Sequence, residues 1–179
     1  MSFRYEVRLS GEGGQGLVLA GKILAEAAAI HAGLNATQSQ SYGPEARGGA
    51  SRSEVIISDG DIDYPKAIDV DLLLALTQQS YDLYSHDLKA SGVAIVDSAK
   101  IKSLSDVSAR IVSVPISSIA EEKLGRSLFT NMVALGVIVG VSKVVPVEAV
   151  RTAIKQRVPK GTEQKNLDAF ELGLAEAGS

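Results

Sequence analysis

Residues 10–33 read SGEGGQGLVLAGKILAEAAAIHAG, and this short stretch limits the fold more than any other part of the chain. Before it, Tyr5 to Leu9 alternates in the manner of a short strand. After it, from Gln15 onward, Leu17, Ala20, Leu24 and Ala27 recur at three- and four-residue spacing and predict one apolar stripe on a helix that Gly33 can cap. Between the two lie Gly11, Gly13, Gly14 and Gly16. A strand that passes through a glycine turn straight into a helix is a β-turn-α unit, the building block of sheets covered by helices.

The rest of the chain extends that pattern. Residues 34–58 begin polar and rich in small residues and turn β-like in ASRSEVIIS before Asp59-Gly60, which predicts a strand, a long glycine-containing loop and a returning strand, an antiparallel edge to the sheet. DVDLLLAL (69–76) and GVAIVD (92–97) are continuous apolar runs of strand length, separated by the helix-like QQSYDLYSHDLKA (78–90); RIVSVPIS (110–117) adds a further strand. Uninterrupted apolar strands alternating with helices imply a mostly parallel sheet with helices on both faces. From about residue 118 the pattern is helical, over 118–125, 128–142, 146–158 and 162–177, punctuated by Gly125, Pro146 and Pro159-Lys160-Gly161. The 179 residues suit a single domain, 1–179.

A turn that leaves a strand and opens a helix directs free N–H groups at one spot, where the helix dipole also favours an anion. Glycine lets a ligand approach the backbone and permits positive φ. The spacing of Gly11, Gly13 and Gly16 matches G-x-G-x-x-G, so Gly11, Gly13, Gly14, Gln15 and Gly16 are candidate cofactor-binding residues. Two features oppose a nicotinamide or flavin dinucleotide. No acid lies between Glu26 and Glu45, where a ribose-binding carboxylate about 20 residues beyond the turn is needed, and Glu12 places a carboxylate in the turn itself. A phosphate, pyrophosphate or carboxylate ligand, a close helix-on-sheet crossing and a subunit contact all remain open for this turn.

Other chemistries are excluded more firmly. The absence of cysteine removes disulfides, thiolate metal sites, cysteine-ligated clusters and a cysteine nucleophile. Asp59, Asp61 and Asp63 start like a calcium loop, but Tyr64 and Val70 stand where glycine and glutamate are required. No G-x-S-x-G occurs, His31 and His86 have no second histidine nearby, and Asp59-Gly60-Asp61 is not the Gly-Asp-Gly of a thiamine-diphosphate site, since no asparagine lies between Asn35 and Asn131. A net charge of -3 offers no basic field for nucleic acid or an anionic membrane. The longest apolar run, Met132 to Val141, is about half of the ~20 residues of a spanning helix. The N-terminus lacks an apolar secretory segment, so a cytoplasmic location is expected.

SYGPEARGGASRSE (41–54) is denser in anchors than a connector requires. Tyr42, Pro44, Glu45, Arg47, Gly48, Gly49 and Arg52 form a candidate interface or ligand loop, in which Arg47 and Arg52 present donor forks suited to carboxylates or phosphates. Solvated arginines on a hairpin are the plainer alternative.

GEGGQG (11–16), SYGPEARGG (41–49) and SEVIIS (53–58), in this order and at this distance, resemble the gamma subunit of 2-oxoacid:ferredoxin oxidoreductases, and the likeness continues through DVDLLLAL, NMVALGVIVG (131–140) and NLDAFELG (166–173). The resemblance implies a three-layer α/β/α Rossmann-like sandwich with a mostly parallel, partly mixed sheet and a helical C-terminal third. It also implies a complex that decarboxylates a 2-oxoacid oxidatively, passing the acyl group to coenzyme A and electrons to ferredoxin. Its partners are the alpha, beta and delta subunits, which carry thiamine diphosphate, Mg2+ and the [4Fe-4S] clusters. This chain is then expected to hold no cofactor alone, to supply no catalytic residue and no metal site, and to complete the assembly, with the glycine turn assisting coenzyme A binding. A free-standing nucleotide-binding protein using the Gly11–Gly16 turn is the alternative.

Overall fold

The computed structural model describes residues 3–42 and 50–178, with Tyr42 through its backbone only. Its strands are β1 (Arg4–Glu12), β2 (Asn35–Tyr42), β3 (Ala50–Ser58), β4 (Val70–Ala75), β5 (Leu88–Asp97) and β6 (Arg110–Val114). The helices are α1 (Leu17–Glu26), α2 (Gln78–Tyr84), α3 (Ile116–Leu124), α4 (Thr130–Ser142), α5 (Val147–Arg157) and α6 (Glu163–Ala177). The sheet order is β2-β3-β1-β4-β5-β6. β1, β4, β5 and β6 run parallel, and β3 lies antiparallel to both β1 and β2. The mixed α/β architecture and the antiparallel edge agree with the sequence reading.

One face of the sheet carries the main core. Val7, Leu9, Val55, Ile57, Leu72, Leu74, Val93 and Ile95 point to it and meet α1, α3, α4, α5 and α6. α4 is buried on every side from Thr130 to Val139, as expected of a helix that is apolar all round. It crosses α6 where Gly136 faces the Phe170 carbonyl and Gly173 faces the Val133 carbonyl, and a Cβ at either glycine would collide with the partner's backbone. The other face is thinner. α2 packs there, through Tyr81 on Ala75, Ala94, Val96 and Ile101, and the 59–69 segment caps Glu6 beside it.

Four boundaries differ from the expectation, each for a local reason. The first helix does not run unbroken to Gly33: α1 gives way to a π-helical turn at Ala27–His31, which closes through the Leu34 N–H on the Ala28 carbonyl, before Gly33 takes a φ of 69°. β1 extends to Glu12, so Gly11 is a strand residue opposite Ser51. The helix expected over 78–90 stops at Tyr84, because Leu88 pairs with Val70 and Lys89 reaches Asp71 at 3.0 Å, drawing 88–91 into β5. The strand expected to 117 ends at Val114; Pro115, which has no N–H to give a ladder, stands just before α3. Among the described residues no helix is long and apolar enough to cross a membrane, and the Met132–Val141 run lies within α4.

Candidate functional site

The glycine turn sits at the C-terminal end of β1, beside the ends of β4, β5 and β6. A cleft of about 690 Å³ opens there. Its walls come from the turn itself (Glu12, Gly14, Gln15, Gly16), from Thr77 and Gln78 after β4, Lys100 after β5, Ser117 after β6, and Thr130 and Asn131 at the start of α4. In open sheets with helices on both faces this is where ligands bind, outside the carboxyl ends of the strands. The N-termini of α1, α3 and α4 all open onto the cleft, so backbone N–H groups and helix dipoles converge. Its charged side chains are one cation, Lys100, against two carboxylates, Glu12 and Glu121. Any anion bound there is held by backbone and hydroxyl donors more than by side-chain charge.

Three of the four glycines are explained by the turn's own geometry. Gly14 and Gly16 hold φ values of 89° and 77°, the left-handed region that disfavours side chains. Gly16 also lies against Asn131, whose Nδ2 donates to the Gly16 carbonyl at 3.2 Å; a Cβ there would strike that amide. Gly11 makes room for the Gln15 side chain, whose Oε1 accepts the Glu12 N–H at 2.7 Å and ties turn to strand. Gly13 is different. Its φ is not in the positive region and an added Cβ would meet nothing within 4 Å among the described residues, none of which requires glycine there. Gly14 lines the large cleft and, together with Gly13, a second of about 260 Å³ whose walls include Leu17, Val18 and Ser51. Gly16 caps α1 without a side-chain hydrogen bond, and no acid occupies the first turn, which leaves the amides of that turn open to a ligand.

The candidate loop divides. Pro44, Glu45, Arg47, Gly48 and Gly49 lie outside the described residues, and Tyr42 ends β2. Arg52 is on β3, paired with Ser10 of β1, on the thin face of the sheet and away from the main core. The sequence reading missed Thr77, Gln78, Lys100, Ser117, Thr130 and Asn131. Most of them follow directly on strand ends, which is the signal that could have found them; Asn131 stands out as a lone amide opening an apolar helix. Ser117 is the most telling. Its N–H donates to Asp97 at 3.2 Å, while its buried Oγ has no partner among the described residues. The chain has no cysteine, and among the described residues no group of three or more His, Asp or Glu could hold a metal ion.

Fold and cleft together define a doubly wound α/β protein with a ligand crevice at its strand ends. Residues 6–176 match the family model described as pyruvate ferredoxin/flavodoxin oxidoreductase. The chain is 47% identical over 175 residues to the 2-oxoglutarate synthase subunit KorC of Methanocaldococcus jannaschii, covering 97% of this chain and 94% of the relative. It superposes with a TM-score of 0.88 and 49% identity on the gamma subunit of a keto/oxoacid ferredoxin oxidoreductase from Geobacter sulfurreducens, covering 97% and 98% of the two chains. The same fold, at 21% identity and a TM-score of 0.87, forms 31% of a chain of the 2-oxoglutarate:ferredoxin oxidoreductase from Magnetococcus marinus solved with 2-oxoglutarate, coenzyme A and succinyl-CoA bound; 98% of this chain is covered. The chain belongs to the pyruvate ferredoxin/flavodoxin oxidoreductase family, as a gamma-type subunit of a 2-oxoacid:ferredoxin oxidoreductase complex. A free-standing nucleotide-binding protein is not favoured by that kinship.

Proposed function

We propose that this subunit completes a 2-oxoglutarate-oxidising complex without carrying out its chemistry, and that its glycine turn helps to hold coenzyme A at the entrance to the active site. The observation that carries the second part is Gly13, a glycine that no contact among the described residues demands, exposed at the smaller cleft beside Gly14, which lines both clefts. A bare backbone at such a place admits a ligand closely. The pyrophosphate of coenzyme A would be held by the amides of Gly13 and Gly14 and of the first turn of α1, with Ser117, whose buried hydroxyl has no partner among the described residues, in the wall of the large cleft. Bound there, the cofactor supplies the thiol that accepts the acyl group; thiamine diphosphate, Mg2+ and the iron–sulfur clusters belong to the alpha, beta and delta partners, and ferredoxin takes the electrons.

The residues of this chain have three tasks in that scheme. The turn binds the anionic linkage, the Gln15–Glu12 bond keeps the turn rigid, and the loop around Arg47 contacts the neighbouring chains. Titration of coenzyme A into the assembled complex carrying Gly13→Asp tests the turn. A carboxylate there should weaken coenzyme A binding at least about tenfold, since it sets a charge against the pyrophosphate; unchanged affinity in a correctly assembled complex counts against the assignment. The choice of 2-oxoglutarate is supported by the names of the curated relatives near half identity. A panel of 2-oxoacids offered to the complex should give its highest kcat/KM with 2-oxoglutarate.

A further inference from the structure

The thin face of the sheet holds one built feature that the coenzyme A reading does not use. β1 and β3 set Arg8 opposite Glu54, and Ser10 opposite Arg52. Arg8 is buried; its Nη1 donates to Asp87 at 2.6 Å and its Nη2 to Glu54 at 3.4 Å. Arg52 has only the leftover side of the same carboxylate, with Nε 3.4 Å from Glu54 Oε1 in an ion pair too poorly aligned to be a hydrogen bond. Both guanidinium groups lie on the ring of Tyr84, at 5.2 Å for Arg8 and 5.5 Å for Arg52.

The cluster is short of acceptors. Two guanidinium groups carry about ten N–H donors, yet among the described residues they make two side-chain hydrogen bonds, both by Arg8. Arg52 makes none among the described residues, although its side chain is two-thirds covered and its Nε fully so. A surface arginine ordinarily runs its head into water and keeps its freedom. Here the head is gripped by an aromatic face and a carboxylate, and its far end has no partner among the described residues.

We propose that Arg52 anchors a protein–protein contact by taking a carboxylate side chain of a companion subunit, and that Tyr84 is the residue that positions it. This rests on the reading of the chain as a subunit and names the chemistry of its partner. A carboxylate fits better than a phosphate, because Glu54, Asp87 and the C-terminal end of α2 already bring negative charge to the spot and disfavour a multiply charged group. A protein fits better than a small ligand, because an arginine held on a tyrosine, with the exposed Leu83 next to that tyrosine in the chain, has the make-up of an interface hot spot.

Association of the chain with its purified companion subunits, measured at low and high salt alongside the thermal stability of the free chain, tests this. Arg52→Gln should weaken association ~30-fold, the scale of a lost charge pair at an interface. Arg52→Lys should not restore it, since a lysine lacks the planar fork. Tyr84→Leu should weaken it about tenfold, as expected when a cation–π support and its fixed geometry are lost. Tyr84→Phe should bind like the parent, because the Tyr84 hydroxyl makes no hydrogen bond among the described residues. The gap between parent and Arg52→Gln should narrow at high salt; a gap indifferent to salt would mean a neutral acceptor and overturn the carboxylate. Parent-like binding by Arg52→Gln overturns the inference alone, whereas failure of the parent to associate overturns the subunit reading with it.

Discussion

The two faces of the sheet are built from the same strands and do different work. On one, Val7, Leu9, Val55 and Ile57 join five helices in a continuous apolar core. On the other, the alternate residues of the same strands include Glu6, Arg8, Arg52 and Glu54 beside the buried Ile56. Glu6 is buried by accepting the Ile68 and Asp69 N–H groups at 2.7 and 2.8 Å, and Arg8 by its two carboxylates. The first face is held by area removed from water, the second by a smaller apolar cluster around Tyr81 together with paired charge. The difference sets the main apolar core and the proposed Arg52 contact on opposite sides of one sheet, with the glycine turn at the strand ends.

Core truncation should show the first face at its strongest. Phe170 is fully buried between α6 and α4, and Phe170→Ala is expected to cost about 3–5 kcal/mol in denaturant unfolding, through lost transfer energy and an unfilled cavity. The charged face should respond differently. Glu54→Leu leaves the buried Arg8 with Asp87 as its remaining acid among the described residues and is expected to cost about 1–3 kcal/mol, while the double change Arg8→Met/Glu54→Leu should recover most of it, because a buried pair replaced whole by apolar groups is close to neutral. A double variant as unstable as the single one would show that the two faces are held alike.

The turn offers a smaller contrast within one motif. Gly16→Ala meets both a positive φ and the Asn131 side chain and should destabilise by about 1–3 kcal/mol. Gly13→Ala should stay within about 0.5 kcal/mol of the parent. The smallest effect concerns Tyr5, beside the core on β1. Burial, and after it the Asp71 carboxylate, push its phenol up to about 12, against a lowering by Arg110. Because the folded value is raised, the stability linked to it is complete below pH 10, the unfolded value, and is lost as the pH rises through about 12. Ultraviolet titration of the phenols should show one tyrosine ionising well after the exposed ones.

Much of the fold could be read from the chain because its strands announce themselves by type. DVDLLLAL and GVAIVD are apolar on both sides, as parallel strands covered on both faces must be, and ASRSEVIIS returns at the edge. The turn was legible as a motif but not as four separate glycines, since only the packing of Asn131 and Gln15 shows which of them the fold demands. The Arg8–Glu54–Asp87 cluster was not legible. Alternation along β1 distinguishes two faces but does not say that α2 and the 59–69 segment cover the polar one, and Asp87 arrives from 79 residues away in sequence. The helical reading of 78–90 failed for a related reason: the amphipathic pattern of Leu88 and Lys89 was satisfied instead by pairing with β4.

The claim beneath all of this is that the chain shapes and completes an oxidoreductase whose reactive groups lie on its companions. Its most direct test is 2-oxoglutarate- and coenzyme A-dependent reduction of ferredoxin by this chain alone, by the companion subunits alone and by the mixture. The account expects no turnover from the chain alone and a coenzyme A-dependent rise when it is added to the companions. Turnover, or a tightly held redox group, in the isolated chain would contradict it.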